Sequence, residues 1–120
     1  MIDLEDIRNY CLKKKGVTED FPFDEETLVF KVMGKIFLLT DIHHPELSMN
    51  LKCDPELAVA LREQYESVQP GYHMNKKMWN TVSYSGEFSD KELLNMIDHS
   101  YEEVVKRLSK KLQQELQDMP

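Results

Sequence analysis

The sequence lacks the features that define several large classes of protein. Its two cysteines, Cys11 and Cys53, are far apart and form no Cys-x-x-Cys pair, which argues against a disulfide framework or a zinc ribbon. Its four glycines are isolated, so it has no glycine-rich phosphate loop. The His-Glu-x-x-His and Gly-x-Ser-x-Gly motifs are absent as well. We therefore expect no cofactor, no bound metal and no enzymatic activity.

Length and composition indicate one globular domain over residues 1–120. Hydrophobic residues make up 41% of the chain and charged residues 31%, which is ordinary for a globular protein. No apolar run approaches the roughly 18 residues that a membrane helix needs. The opening MIDLEDIRNY has neither the basic region nor the apolar block of a signal peptide. We expect a cytoplasmic protein with reduced thiols and no membrane contact.

Acidic residues are missing from one part of an acidic chain. The sequence holds 22 Asp and Glu against 15 Lys and Arg, giving a net charge of −7. Even so, the 20 residues 67–86 contain no carboxylate, and they include the segment PGYHMNKKMWNTVS at 70–83. Long-range repulsion disfavours unselective binding of nucleic acid by the whole chain, but it leaves room for a local basic face.

Three segments have the apolar periodicity of amphipathic helices, and each begins with a residue suited to a helix N-terminus. They are residues 3–14, 54–65 and 89–108. Pro55 and Glu56 follow the N-cap Asp54, and Ser89 with Glu92 fits a capping box. The apolar stripe of the third helix continues, so residues 109–120 are expected to extend that helix.

Four segments indicate strands, because they are short, apolar or alternating. They are residues 28–33, 36–40, 47–53 and 79–84. The first two are separated by Gly34-Lys35, which predicts a two-residue hairpin turn with glycine first. We predict an α+β fold, in which an antiparallel sheet packs against helices. Cys11 should lie on the apolar face of the first helix, and Cys53 should close a strand.

The acid-free segment supplies the strongest candidate site. Its members are Tyr72, His73, Asn75, Lys76, Lys77 and Trp79. Lysines beside aromatic rings offer phosphate contacts together with faces on which bases can stack. Asn75 and Asn80 are candidates for contacts to base edges. The alternative is structural: Trp79 and Tyr72 pack on the sheet, and the two lysines belong to an ordinary solvated loop.

Two other groups of residues are candidates for metal sites. His43, His44 and Asp41 are close in sequence, but adjacent histidines seldom converge on one ion, so a polar loop is favoured. The remaining group consists of acids that could gather a hard cation. It comprises Asp3, Glu5, Asp6, Glu19 and Asp20. Solvated helix and loop faces explain these acids more simply.

Four stretches taken together resemble the MmcQ/YjbR family of small bacterial proteins. They are FPFDEETLVFKVMGKIF, NLKCDPELAVALREQY, VQPGYHMNKKMWNTVS and ELLNMIDHSYEEVVKRL. The resemblance implies a CyaY-like (frataxin-like) α+β sandwich and a predicted DNA-binding role with a "double-wing" motif. The segment from His73 to Trp79 matches the family's most distinctive motif. The likeness to frataxin-like proteins also suggests iron binding, which rests on fold analogy alone.

Two interpretations of the acid-free segment therefore stay open. It forms a DNA-binding face, or it lines the pocket or groove of a small-ligand or protein-interaction module. The oligomeric state is open between a monomer and a weak dimer, in which Leu112 and Leu116 of the tail would pair with their copies.

Overall fold

The computed structural model describes residues 2–72 and 74–120. Within these residues the chain forms four helices and six strands. In chain order they are α1 Leu4–Leu12, β1 Val17–Asp20, β2 Thr27–Val32, β3 Lys35–Asp41, β4 Ser48–Lys52, α2 Pro55–Gln64, β5 Val68–Pro70, β6 Trp79–Ser83, α3 Asp90–Lys106 and α4 Lys110–Gln117.

The six strands form one antiparallel sheet in the order β1-β2-β3-β4-β6-β5. In β4 the buried residues Met49 and Leu51 alternate with half-buried polar residues, as predicted. The predicted α+β fold with an antiparallel sheet packed against helices is confirmed. The short strands β1 and β5 were not predicted, and the CyaY-like character of the fold stays a prediction.

Helices cover one face of the sheet and leave the other uncovered. The main core joins side chains from all four helices with alternate residues of the strands. Ser100 of α3 fixes this arrangement, because its hydroxyl donates to the Phe37 carbonyl at 2.5 Å and accepts from the Lys52 N–H at 2.8 Å. The opposite face, which we call the open face, carries a smaller cluster with no helical residue. That cluster consists of Val29, Leu39 and Trp79, packed with Ile36, Met74 and Met78.

The hairpin between β2 and β3 turns one residue earlier than predicted. Val32 pairs with Lys35, so the two loop residues are Met33 and Gly34. Their φ angles are 50° and 82°. A type I′ turn requires positive φ at both central residues, and glycine at the second removes the strain there. The prediction that glycine comes first is therefore wrong.

The predicted helix starts are confirmed. The Asp3 side chain accepts from the Asp6 N–H at 2.9 Å, and the Asp6 side chain accepts from the Asp3 N–H at 3.0 Å. Asp54 accepts from two N–H groups at the start of α2. Ser89 accepts from the Glu92 N–H at 3.1 Å, which is the half of the predicted capping box that the described contacts contain.

The tail does not extend α3 as predicted. α3 ends at Lys106, and Ser109 begins α4 by accepting from the Leu112 N–H at 3.2 Å. Leu116 then returns to the main core, where it is 6% exposed. A Cβ at Gly16 would lie 2.7 Å from the Leu116 side chain, so that side chain packs closely on the backbone of Gly16. A seam in which Leu116 pairs with its copy is therefore inconsistent with this packing.

Both cysteines are free and buried in the main core. Cys11 lies on the buried face of α1, as predicted, and Cys53 directly follows β4. Burial raises the pKa of the Cys11 thiol to about 12 and that of Cys53 to about 11. In the described part of the chain, no helix has the length and apolar character to cross a membrane.

Candidate functional site

The loop between β5 and β6 carries the predicted site and is tightly held. The Gly71 N–H donates to the Trp79 carbonyl at 2.8 Å, and the Trp79 N–H donates to the Asn75 carbonyl at 2.9 Å. A Cβ at Gly71 would lie 2.8 Å from the Trp79 Cβ and 2.9 Å from its carbonyl oxygen. Only glycine allows this approach without a shift of backbone. We call residues 71–78 the basic loop.

Two members of the predicted site differ greatly in exposure. Tyr72 is 69% exposed, and its N–H donates to the Thr81 hydroxyl at 3.0 Å. Trp79 is only 9% exposed, because it packs in the small cluster of the open face. The Lys52 ammonium lies 5.8 Å from the centre of its ring. Tyr72 is therefore largely exposed to solvent, whereas Trp79 belongs to the structural framework.

The polar members of the site lie on the exposed side of the basic loop. Asn75, Lys76 and Lys77 are all exposed. The Asn75 side chain accepts from the Lys77 N–H at 3.0 Å, and the Lys76 ammonium donates to the Gly71 carbonyl at 3.2 Å. Neither lysine forms an ion pair with a described residue. His73 was also predicted as a site residue and lies outside the described residues.

Arg62 of α2 holds the basic loop to the body of the protein and was missed by the sequence analysis. Its guanidinium donates to the Asn80 Oδ1 at 2.7 Å, to the Trp79 carbonyl at 3.3 Å and to the Lys76 carbonyl. Asn80 is 2% exposed, and its amide also donates to the Ala58 carbonyl at 3.4 Å. The expectation that Asn80 contacts base edges is therefore wrong.

A groove of about 670 Å³ runs over the open face beside the basic loop. Tyr72 and Met74 of the basic loop line it together with polar residues of β4 and β6. Among the latter, the Thr81 hydroxyl donates to the Asn50 Oδ1 at 2.6 Å. Phe23, which is 65% exposed, lines the same groove from the loop between β1 and β2. The groove thus combines two exposed aromatic residues with hydrogen-bonding groups.

Charge is distributed unevenly around this groove. Asp41 and His44 line it, and Asp24, Glu25 and Glu26 directly follow Phe23 in the chain. Asp24 accepts from the Glu26 and Thr27 N–H groups, and these hydrogen bonds lower the pKa of its carboxyl. The side with Phe23 is therefore acidic, whereas the side with the basic loop is cationic.

Several of the candidate metal ligands have structural partners. Arg8 pairs with Glu19 at 2.6 Å and with Glu5 at 3.3 Å, and the pairing with Arg8 lowers the pKa of Glu19. The His44 Nδ1 lies 2.6 Å from the Glu46 carbonyl oxygen and 3.1 Å from the Glu46 backbone nitrogen. Among the described residues, no three His, Cys, Asp or Glu side chains come together in a way that could hold a metal ion.

This architecture defines the protein as an α+β domain that has helices on one face of its sheet and leaves the other face open. The family model YjbR matches residues 12–103. The chain belongs to the YjbR family, also known as MmcQ/YjbR.

Relatives with known sequences and structures cover nearly the whole chain. It is 39% identical over 107 residues to the uncharacterized protein YbdF of Escherichia coli O157:H7, covering 89% of this chain and 88% of YbdF. It is 30% identical over 105 residues to the uncharacterized protein YjbR of Escherichia coli K12, covering 88% and 89%. The crystal structure of Deinococcus radiodurans DR2400, a DUF419 domain, superposes with a TM-score of 0.91 at 40% identity, covering 100% of this chain and 91% of that one.

Proposed function

We propose that the protein binds single-stranded nucleic acid, in the first instance DNA, on the open face beside the basic loop. The observation that carries this proposal is the placement of Tyr72. It is 69% exposed and lines a groove whose other walls bear hydrogen-bonding groups. The proposal is for a binding protein rather than an enzyme.

Stacking on Tyr72 supplies the first contribution. Base–aromatic stacking is worth roughly 1–3 kcal/mol per base and tolerates any sequence. Trp79 is buried, so Tyr72 is the aromatic residue of the basic loop on which the proposal depends. Asn50 lies in the same groove, where its amide nitrogen can donate to base edges, and the Thr81 hydroxyl orients that amide by donating to the Asn50 Oδ1.

Phosphate contacts by Lys76 and Lys77 supply the second contribution to the affinity for nucleic acid. Both are exposed and unpaired with carboxylates among the described residues. Each phosphate contact contributes about one unit to the slope of log affinity against log salt. Two lysines therefore predict weak binding with a shallow salt dependence, consistent with a protein of net charge −7.

A second candidate function is binding of a planar, neutral or cationic small molecule in the groove. It is favoured by Phe23 and Tyr72 lining the same groove, and by Asp41 as the carboxylate there. Two aromatic faces suit a flat ligand, and a carboxylate suits a positive one. This hypothesis needs Phe23 and is indifferent to Lys76 and Lys77.

The test is titration of labelled single- and double-stranded oligonucleotides at two salt concentrations. We expect the single-stranded oligonucleotide to bind, with an affinity that falls as the salt concentration rises. Tyr72→Ala and the pair Lys76→Glu/Lys77→Glu should each lower this affinity. The matched control is Lys110→Glu/Lys111→Glu, since these adjacent lysines are also exposed but lie on α4.

Three outcomes would count against the proposal. The first is absence of binding at low salt, and the second is binding that the substitutions at Lys76 and Lys77 leave unchanged. The third is equal loss in the variant of α4, which would indicate a general charge effect. Loss on Phe23→Ala without loss in the lysine variants would favour the small-molecule hypothesis.

A further inference from the structure

A second cationic site lies at the end of the sheet, on the far side of Ile36, which lines both this site and the groove. It is an open depression of about 380 Å³ in which Trp79 forms part of the wall. Three cations from three different elements line it, and none of the described residues that line it is a carboxylate. They are Lys35 at the start of β3, Lys52 at the end of β4 and Arg107 directly after α3.

These cations are not used in ion pairs within the described chain. Its four salt bridges join other residues. The carboxylate that influences Lys52 is that of Glu103, which is 5% exposed. Glu103 is already paired with Lys106, whose ammonium lies 2.8 Å away. The site therefore holds more positive than negative charge.

Crowding of like charges is visible at Lys52. Partial burial lowers the pKa of its ammonium first, and the charge of Arg107 lowers it further, while Glu103 acts in the opposite direction. A half-buried lysine held near an arginine is destabilised unless an anion offsets both charges. The Arg107 side chain is not needed to cap α3, because the Arg107 backbone N–H donates to the Val104 and Val105 carbonyls. The Gln113 amide nitrogen also lies within hydrogen-bond distance of the last carbonyls, at 3.0 Å from that of Leu108 and 3.2 Å from those of Val105 and Lys106.

We propose that Lys35, Lys52 and Arg107 form a binding site for a phosphate-type oxyanion. A guanidinium can hold two oxygens of such an anion at once, and two ammonium groups can neutralise the remaining charge. The anion is either a free phosphate compound or a phosphate of a nucleic-acid backbone. None of its three cations belongs to the basic loop, so the site goes beyond the one used in the proposed function.

Trp79 provides a direct readout, because it is the single tryptophan of the chain and lines this depression. Its fluorescence is followed while inorganic pyrophosphate is added at constant ionic strength, with chloride as the reference anion. We expect a saturable change with pyrophosphate that chloride does not produce. Arg107→Gln and Lys35→Gln should each weaken binding roughly tenfold. Both residues are exposed, so these variants should fold normally.

The controls separate this site from the basic loop. Lys110→Gln and the pair Lys76→Glu/Lys77→Glu should leave pyrophosphate binding unchanged. A parallel titration with a single-stranded oligonucleotide identifies the source of the anion. If only the oligonucleotide responds, and its response is lost in Arg107→Gln and Lys35→Gln, the site takes backbone phosphate. If neither ligand depends on Lys35 or Arg107, or if chloride acts as pyrophosphate does, the proposal is overturned.

Discussion

Replacing Arg62 by methionine should loosen the basic loop and destabilise the whole domain. Arg62 is half-buried and donates to Asn80, to the Trp79 carbonyl and to the Lys76 carbonyl. A hydrogen bond to a charged group contributes about 1.5–3 kcal/mol, and a buried acceptor left without its partner costs about 1–3 kcal/mol. Asn80 is 2% exposed, so water cannot readily replace the guanidinium. We expect the free energy of unfolding to fall by about 2–4 kcal/mol.

Urea denaturation followed by far-ultraviolet circular dichroism measures this loss. Arg107→Met is the matched control, because Arg107 is exposed and makes no side-chain hydrogen bond with a described residue. The variants Asn80→Leu and Arg62→Met/Asn80→Leu complete a double-mutant cycle. The double variant should lose less unfolding free energy than the two single variants lose in sum, because both polar partners are removed together. If Arg62→Met and Arg107→Met agree to within about 0.5 kcal/mol, the assigned role of Arg62 is refuted.

Three further predictions concern the framework around the site. Gly71→Ala should cost about 1–3 kcal/mol in urea denaturation, because its Cβ would lie 2.8 Å from that of Trp79, and an unchanged urea midpoint would contradict it. Leu116→Ala should cost about 2–5 kcal/mol, since Leu116 lies in the main core, and an unchanged thermal midpoint would refute that packing. Cys11 and Cys53 should react slowly with a thiol reagent at pH 8 in the folded protein and rapidly in urea, because burial raises both thiol pKa values, to about 12 and about 11. Fast reaction of the folded protein would contradict this.

Local sequence patterns predicted the structural features that depend on residues close together in the chain. The alternation of β4 and the N-caps Asp3, Asp54 and Ser89 depend on neighbours within a few residues, and all were confirmed. The break between α3 and α4 was missed because the apolar spacing continues through it. The Ser109 side chain accepts from the Leu112 N–H and so begins α4, and Leu116 of α4 packs on Gly16, a contact distant in the chain that no local pattern reveals.

The candidate site was harder to predict because it depends on contacts distant in the chain. The sequence identified the acid-free segment, but it could not tell that Trp79 is buried and Tyr72 exposed. Trp79 is buried because it lies in β6, which pairs with β4, and packs with Val29 of β2 and Leu39 of β3. The grouping of Lys35, Lys52 and Arg107 has no sequence pattern at all, since it is created by the ends of two strands and a helix.

Nuclear magnetic resonance mapping of a single-stranded oligonucleotide titration tests the central claim most directly. The claim predicts that backbone amide signals shift mainly in the basic loop and in the groove, at residues such as Asn50, Tyr72 and Thr81. Signals of the covered helical face, such as those of Ile97, should stay in place. Shifts confined to the helices, or no shifts at low salt, would contradict the claim that the open face binds nucleic acid.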